Sequence, residues 1–495
     1  MCMQNARMTM YATIQSALTG IRGSFSYERP YQWFSTFVFS LLVGESAGGI
    51  QSVCNSMGFG EATYYGLDRM FHSDAINLPE LRRQWLDVVV SQTNPVKYYG
   101  RYLIIADGVK QPKDGRRMPG VGRLHNNSDT QSKPTSYHGI QGGAIGILVQ
   151  GPSGCANDGE VYCVPLSMEL MYGLGPIASW PGTSHPNATM TLEAQMLLRQ
   201  EDYIRRLGSC LLIEDRASMN QNLFSDLEKL RNAEKDKLDV YLLTNAKGNV
   251  KAYELPGEYS GRGRPRVKGE KVKLADWFVD RADEFKYHRV WAYGKKVKIK
   301  YLSDILLWGD EWKGKLQFIL AEMKDGRRII LATDDLKMSP AKAVELYARR
   351  FLCEEGFRSY KGDFHGMDYH FWTKSMEHLS HFRSKDLPHI LDSAKTPAER
   401  KAILSSIKAA EVYMQGACIA QGIAQLISMD TPVGGEVQRY TKKRTHTHRK
   451  VSERDVLRYL HGHKDILFAK YAGDQLIEFI REKQVGHPDN AWNII

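Results

Sequence analysis

The sequence predicts an α/β fold, a sheet-centred core interrupted by a β-rich insertion and flanked by helical regions. Three observations predict it. Between residues 97 and 244, short apolar runs separated by turn residues follow the order β-β-β-α-β-α-β. Residues 1–96 carry apolar runs of helical length and no lysine at all. The chain has 495 residues, 42% hydrophobic and 25% charged, which excludes a mainly disordered or fibrous protein. At roughly 100–200 residues per domain, that length accommodates about two to four domains.

Each element has its own signal. In residues 1–96, Trp33–Val43 and Leu78–Val90 are the apolar helical runs. Residues 46–75 read as helix, glycine-containing turn, helix, either a DNA-end-binding helix-turn-helix or a bundle packed on the core; Arg69 is its only cation. Residues 97–244 form the first part of the core: strands at Tyr99–Val109, Gly139–Gln150 and Gly159–Glu169, a helix at Thr191–Leu207, a strand at Ser209–Asp215, a helix at Gln221–Ala233 and a strand at Val240–Thr244. Residues 245–339 are a basic, β-rich insertion with Trp277, Trp291, Trp308 and Trp312 among runs such as Gln317–Ala321 and Arg328–Ala332. Ser339 as N-cap and Pro340 at the first helical position then start a helix, and 340–370 completes the core. Residues 371–495 read as a helical, basic region with a Thr/His-containing linker at Arg439–Lys450.

Charge sharpens this division. The total is 67 Lys+Arg against 56 Asp+Glu, a net +11. By segment it is 6 − 7 = −1 for 1–96, 21 − 14 = +7 for 245–339 and 19 − 14 = +5 for 371–495. The two core pieces together balance at 21 − 21 = 0. Positive charge outside a neutral core is the distribution expected when the core holds an acidic, metal-binding centre and the appendages hold a polyanion. Seven scattered cysteines, none in a CxxC pair, argue against a disulfide framework or structural zinc and for a reducing compartment. The best apolar run, Pro30–Gly44, is 15 residues, short of a membrane span, and no basic-then-apolar signal segment opens the sequence.

The chemistry is carried by Tyr347, Arg350, Glu354 and Lys361, a Tyr-x2-Arg-x3-Glu-x6-Lys pattern. On one continuous helix these positions fall at roughly 0°, 300°, 340° and 320°, a single narrow face. That face shows a carboxylate between two cations and a phenol. An isolated Arg350–Glu354 pair would read as a solvated i,i+4 contact. For all four residues, composition gives on the order of 0.006 chance matches in a chain this long. A break at Gly356 would take Lys361 off the face. Two aspartates end buried-strand runs: Asp107 after LIIA and Asp215 after CLLIE. Such residues are commonly turn or cap residues. Glu214 competes with Asp215, but on a strand the two point to opposite faces.

Asp107, Asp215 and Glu354, together with the four-residue signature, resemble the DDE transposases of bacterial and archaeal insertion sequences that carry the "YREK" motif. The resemblance covers about 97–370. It implies a ribonuclease H-like catalytic core with a mixed five-stranded sheet, and a largely β insertion before the final glutamate helix. It implies that Asp107, Asp215 and Glu354 hold two magnesium ions, with manganese able to substitute. These ions would drive in-line displacement by water or a DNA 3′-hydroxyl. Tyr347, Arg350 and Lys361 would contact phosphates near the transposon end. The implied function is a DNA transposase, an endonuclease and strand-transfer enzyme of DNA recombination. It would act as a homodimer on double-stranded transposon ends and target DNA, without a membrane, in the cytoplasm at the nucleoid. The rivals are a structure-specific nuclease on the same fold and a catalytically silent DNA-binding descendant of a transposase.

Other residues have weaker signals. Arg262, Arg264 and Arg266, in GRGRPRVKG, resemble a minor-groove AT-hook, with a plain basic loop as the alternative. Lys271, Lys273, Lys295, Lys296, Lys298 and Lys300 extend the basic surface. The four insertion tryptophans read as core packing, with base stacking as the alternative. Lys110, Lys113, Arg116 and Arg117 could track a DNA backbone or form a solvated loop. His125 and His138 could approach the metal centre or be turn histidines. His446 and His448 lack further ligands, so no metal is assigned to them.

Overall fold

The periodicities in the sequence become elements close to where the apolar runs place them. In the computed structural model, residues 2–485 are described except 47, 127–133, 152–159, 236, 259–263, 293, 311, 313, 381–386 and 442–450. Helices α1 (Cys2–Gly20), α2 (Glu28–Val43), α3 (Gly49–Met57), α4 (Glu61–Phe71) and α5 (Leu78–Gln92) come first. Two-residue strands β1 (Asn94–Pro95) and β2 (Lys97–Tyr98) lead into β3 (Arg101–Pro112), β4 (Gly122–His125), β5 (Ser136–Gln150) and β6 (Val161–Leu170). Then follow α6 (Leu192–Leu207), β7 (Ser209–Glu214), α7 (Gln221–Asn232) and β8 (Asp239–Asn245). The insertion supplies β9 (Lys251–Tyr253), β10 (Lys271–Lys273), α8 (Trp277–Asp280), β11 (Lys286–Ala292), β12 (Lys295–Trp308), β13 (Gly314–Met323) and β14 (Arg328–Thr333). Helices α9 (Pro340–Ala348), α10 (Phe351–Gly362), α11 (Pro397–Met429), α12 (Thr431–Thr441), α13 (Glu453–Gly462), α14 (Lys464–Lys470) and α15 (Gln475–Arg481) complete the chain. The molecule is thus mixed α/β, with a large mixed sheet and many helices.

Two compact units divide the chain. The first holds Met1–Pro95, Gly108–Gln195 and Glu355–Ile495; the second holds Val96–Asp107 and Met196–Glu354. Boundaries therefore fall inside β3, α6 and α10.

In the first unit the centre is α11. Every residue from Ala409 to Met429 is buried, as expected of a helix apolar around its circumference. A capping box starts it: Thr396 Oγ1 accepts from Glu399 N, and the Glu399 carboxylate accepts from Thr396 N at 2.9 Å, with Pro397 next. Beside it, β4 and β6 each pair antiparallel with β5. The other edge of β6 is met by side chains. Gln415 donates to Leu166 O (2.9 Å), Gln425 to Cys163 O (3.2 Å) and Trp85 to Pro165 O (2.8 Å), while Glu411 accepts from Leu170 N (3.2 Å). Polar residues on a buried helix thereby cover a sheet edge that would otherwise leave main-chain groups without partners. The helix–turn–helix at residues 46–75 forms as α3 and α4, with Gly58 at φ +67° in the left-handed cap that glycine adopts without strain.

In the second unit β3, β7 and β8 run parallel. Residues 102–106 pair with 210–214, and 209–213 with 239–243. The insertion continues this sheet antiparallel through β14, β13 and β12, with β11 beyond β12 as a hairpin. Buried Asp334 pins it by accepting from Leu242 N at 2.8 Å and from Arg231 at 2.5 Å.

Candidate active site

Strand register brings the two aspartates together. Ala106 is the partner of Glu214 in the parallel β3–β7 pair, so Asp107 and Asp215 each follow the last paired residue; Asp215 comes just after β7, whereas Asp107 does not end its strand as the sequence suggests, because β3 runs on to Pro112. In-register neighbours share a face, and successive residues alternate faces. Asp107 and Asp215 thus share one side, and Glu214 takes the other.

Their environments differ accordingly. Asp107 is 15% exposed and Asp215 half-buried. Asp215 also caps the short turn after β7, its Oδ1 accepting from Ala217 N at 2.9 Å, and Thr244 Oγ1 donates to its carbonyl. The cap reading of this residue is therefore met. Glu214 is buried, accepting from Gln200 (2.8 Å) and Ser218. Burial pushes its carboxyl up to about 7, against those hydrogen bonds, and the charges of Asp215 and Asp107 add to the rise.

The helix expected to run unbroken from Pro340 through Lys361 is two helices. It breaks not at Gly356, which lies inside α10, but at Arg349–Arg350. There Arg350 N bonds to Tyr347 O (3.0 Å) and Cys353 N to Arg350 O (2.9 Å), the tighter i→i−3 spacing. The single narrow face of four residues is corrected accordingly. Tyr347 lies in the last turn of α9, Arg350 in the break between the helices, Glu354 in the first turn of α10 and Lys361 in its last. The turn carries the guanidinium to two carboxylates: Arg350 Nη1 to Asp107 Oδ2 at 2.6 Å and Nη2 to Glu354 Oε1 at 2.5 Å. Burial lowers the Arg350 guanidinium, but the charges of Asp107, Tyr347 and Glu354 outweigh it and hold the group above its ordinary value. Burial raises the Tyr347 phenol, with Arg350, 5.7 Å from the ring centroid, opposing. Ser339 occupies the N-cap position of α9 without a side-chain capping bond; its N–H donates to Tyr98 Oη at 3.1 Å. Lys361 lies in the first unit, where its ammonium donates to Lys110 O at 3.5 Å.

Asp107, Asp215 and Glu354 offer hard carboxylate oxygens, the donor type magnesium takes. Three carboxylates against one guanidinium leave a net charge of −2 for cations to balance. They are not drawn to within a common 4.8 Å, a spacing met among the described residues by a different group, Glu169, His185 and Glu411 in the first unit. All three of those are buried, and their spacing suits a metal ion. His185 Nε2 lies 2.9 Å from Glu411 Oε1, and Arg82 lies 2.5 Å from Glu169 and 3.8 Å from Glu411. No local signal in the sequence marks this group, because His185 and Glu411 are 226 residues apart.

The basic insertion resolves into a face. In the β11–β12 hairpin, Tyr287 opposes Lys300, Arg289 opposes Lys298, and Trp291 opposes Lys296. Opposed residues share a side, so two aromatic rings and four cations alternate on it. Tyr287 is 68% and Trp291 51% exposed, and Lys298 Nζ lies 4.4 Å from the Tyr287 ring centroid. Lys295 opposes Ala292 and belongs to the other side. Trp277, Trp308 and Trp312 pack instead; Trp312 stacks on Phe224 at 5.5 Å and donates to Glu228 at 2.6 Å. Arg264 and Arg266 are exposed in a loop, and Arg262 lies outside the described residues, as do His446 and His448. Lys110 and Lys113 are not free backbone trackers. Lys110 donates to His125 O (3.1 Å) and Lys113 to Met367 O (2.7 Å), under the Tyr369 ring. Burial lowers the Lys113 ammonium to about 8.

No family model matches the chain, and no curated protein matches it. Among solved structures it is similar to a piggyBac transposase in a synaptic complex with hairpin DNA, at 10% identity over 92% of this chain and 75% of that one, with a TM-score of 0.34. No helix among the described residues is long and apolar enough to cross a membrane.

Proposed function

We propose that this protein is a DNA transposase whose ribonuclease H-like core cleaves the ends of a mobile element and joins them to target DNA. The observation that supports the reading is the placement of Asp107 and Asp215 on adjacent parallel strands, each following the last residue of their pairing, with Arg350 joining Asp107 to Glu354. Asp107, Asp215 and Glu354 are the residues that would hold divalent magnesium. When bound, the metal supplies an activated oxygen nucleophile and charge stabilisation for the leaving oxygen. The chain's own groups do the positioning. Arg350 fixes the directions of two carboxylates, and with Tyr347 and Lys361 it is assigned to phosphates at the element's end. The Tyr287/Arg289/Trp291 face and Arg264 and Arg266, with Arg262 of the same basic stretch of sequence, are assigned to the flanking DNA, with two copies acting together on paired ends.

Incubating the protein with magnesium and labelled duplexes carrying the element's own terminal sequences tests this reading. Cleavage at the termini followed by joining to a second duplex is expected. Cleavage without joining would point to the nuclease, and binding alone to a silent DNA-binding protein.

A further inference from the structure

Glu169, His185 and Glu411 come from three separate segments of the first unit: β6, the connection from β6 to α6, and α11. Each is at most 3% exposed, and one ligand atom of each lies within 4.8 Å of the other two. Neighbouring groups hold these atoms in place. Arg82 of α5 reaches one oxygen of each carboxylate, Glu169 Oε1 at 2.5 Å and Glu411 Oε2 at 3.8 Å. The other Glu411 oxygen, Oε1, meets His185 Nε2 at 2.9 Å and accepts from Leu170 N at 3.2 Å. Behind the imidazole, Ser184 Oγ lies 2.9 Å from Nδ1, the kind of outer contact that orients a metal-binding histidine.

A separate observation points to a ligand here. Tyr369 is 1% exposed, and its hydroxyl has no hydrogen-bond partner among the described residues. Burial raises its phenol, and the nearby charge of Glu411 adds to the rise. A polar group orphaned in the interior beside a charged cluster marks where a bound species belongs.

From this arrangement we infer that Glu169, His185 and Glu411 hold a zinc ion that ties β6 and α11 to the segment leading into α6. The donor set selects the ion. Magnesium takes oxygen ligands and keeps several waters, whereas an imidazole nitrogen beside carboxylate oxygens suits a first-row transition metal such as zinc. Three protein ligands are the set zinc takes when its fourth position goes to water. On binding, the ion displaces the proton that His185 Nε2 donates to the Glu411 carboxylate, and that proton leaves to solvent. The site is distinct from Asp107, Asp215 and Glu354, which offer only oxygens and lie in the second unit.

The test uses the full chain stripped of metal and dialysed against zinc chloride, with bound zinc and melting temperature measured without DNA. The natural chain and Asp107→Asn are expected to hold about one more zinc ion than His185→Gln and Glu411→Gln. Zinc is expected to raise the melting temperature of the first two only. Ser184→Ala, which removes the outer contact, is expected to weaken zinc binding about tenfold. Should the ligand variants fail to fold, cobalt(II) carries the test in their place. Its visible absorption is expected to be displaced by zinc, to survive in Asp107→Asn and to weaken in Ser184→Ala. No zinc uptake, equal uptake by the natural chain and His185→Gln, or uptake lost in Asp107→Asn would overturn the inference and leave the group an ion-pair network with Arg82.

Discussion

Glu214 and Asp215 show how one residue of strand register separates two carboxylates chemically. Asp215 stands half-buried at the strand end, whereas Glu214 is buried with Gln200 and Ser218. Because the Glu214 carboxyl is raised to about 7, the folded chain binds more protons than the unfolded chain between the ordinary glutamate value and that point. Its contribution to stability is therefore complete at low pH and is lost as pH rises towards 7, a change of roughly 3 kcal/mol at most. Glu214→Gln is expected to flatten the fall in unfolding free energy between pH 5 and about 7, measured by urea denaturation at a series of pH values. An unchanged pH dependence would show that Glu214 does not titrate with folding in this range. Arg350 is the other decisive residue here. Its two ion pairs make Arg350→Ala a change in the positions of Asp107 and Glu354 as much as a loss of charge.

At the level of elements, α10 and α11 carry the most testable packing. Gly356 lies within α10, its carbonyl accepting from Gln421 at 2.9 Å, and a Cβ there would meet only the end of Gln421 at 3.6 Å. Gly356→Ala is expected to raise stability by about 0.5–1 kcal/mol in chemical denaturation, the cost of glycine in a helix. Gln415 is buried and holds both Leu166 O (2.9 Å) and, at 3.4 Å, Arg82 Nε. Gln415→Ala leaves both unsatisfied and is expected to cost about 1–3 kcal/mol by the same measurement. Apart from the short β2 and β4, the strands and helices of residues 97–244 were legible to within a few residues, because short apolar runs bounded by turns are a local signal. The break at Arg349–Arg350 was not. No glycine or proline marks it, and it accompanies an ion pair between residues 243 apart in sequence. The metal-spaced group Glu169, His185 and Glu411 was hidden for the same reason: its members meet only through tertiary packing.

For the whole molecule, the segment charges acquire locations. The +7 of residues 245–339 is partly gathered on the exposed β11–β12 face, where Arg289 and Lys298 oppose one another. Replacing both with alanine is expected to lower the salt slope of duplex binding by about 2, one per lost phosphate contact, in anisotropy titrations. The neutral core segments hold Asp107, Asp215 and Glu354, the carboxylates proposed for metal-dependent cleavage. The most direct test compares magnesium-dependent cleavage of terminal DNA by the natural chain, Asp107→Asn and Glu354→Gln, with duplex binding measured alongside. Each substitution is expected to lower cleavage on the order of a thousandfold while binding stays within a few-fold. Cleavage that survives either substitution would contradict the assignment of these carboxylates to the chemistry.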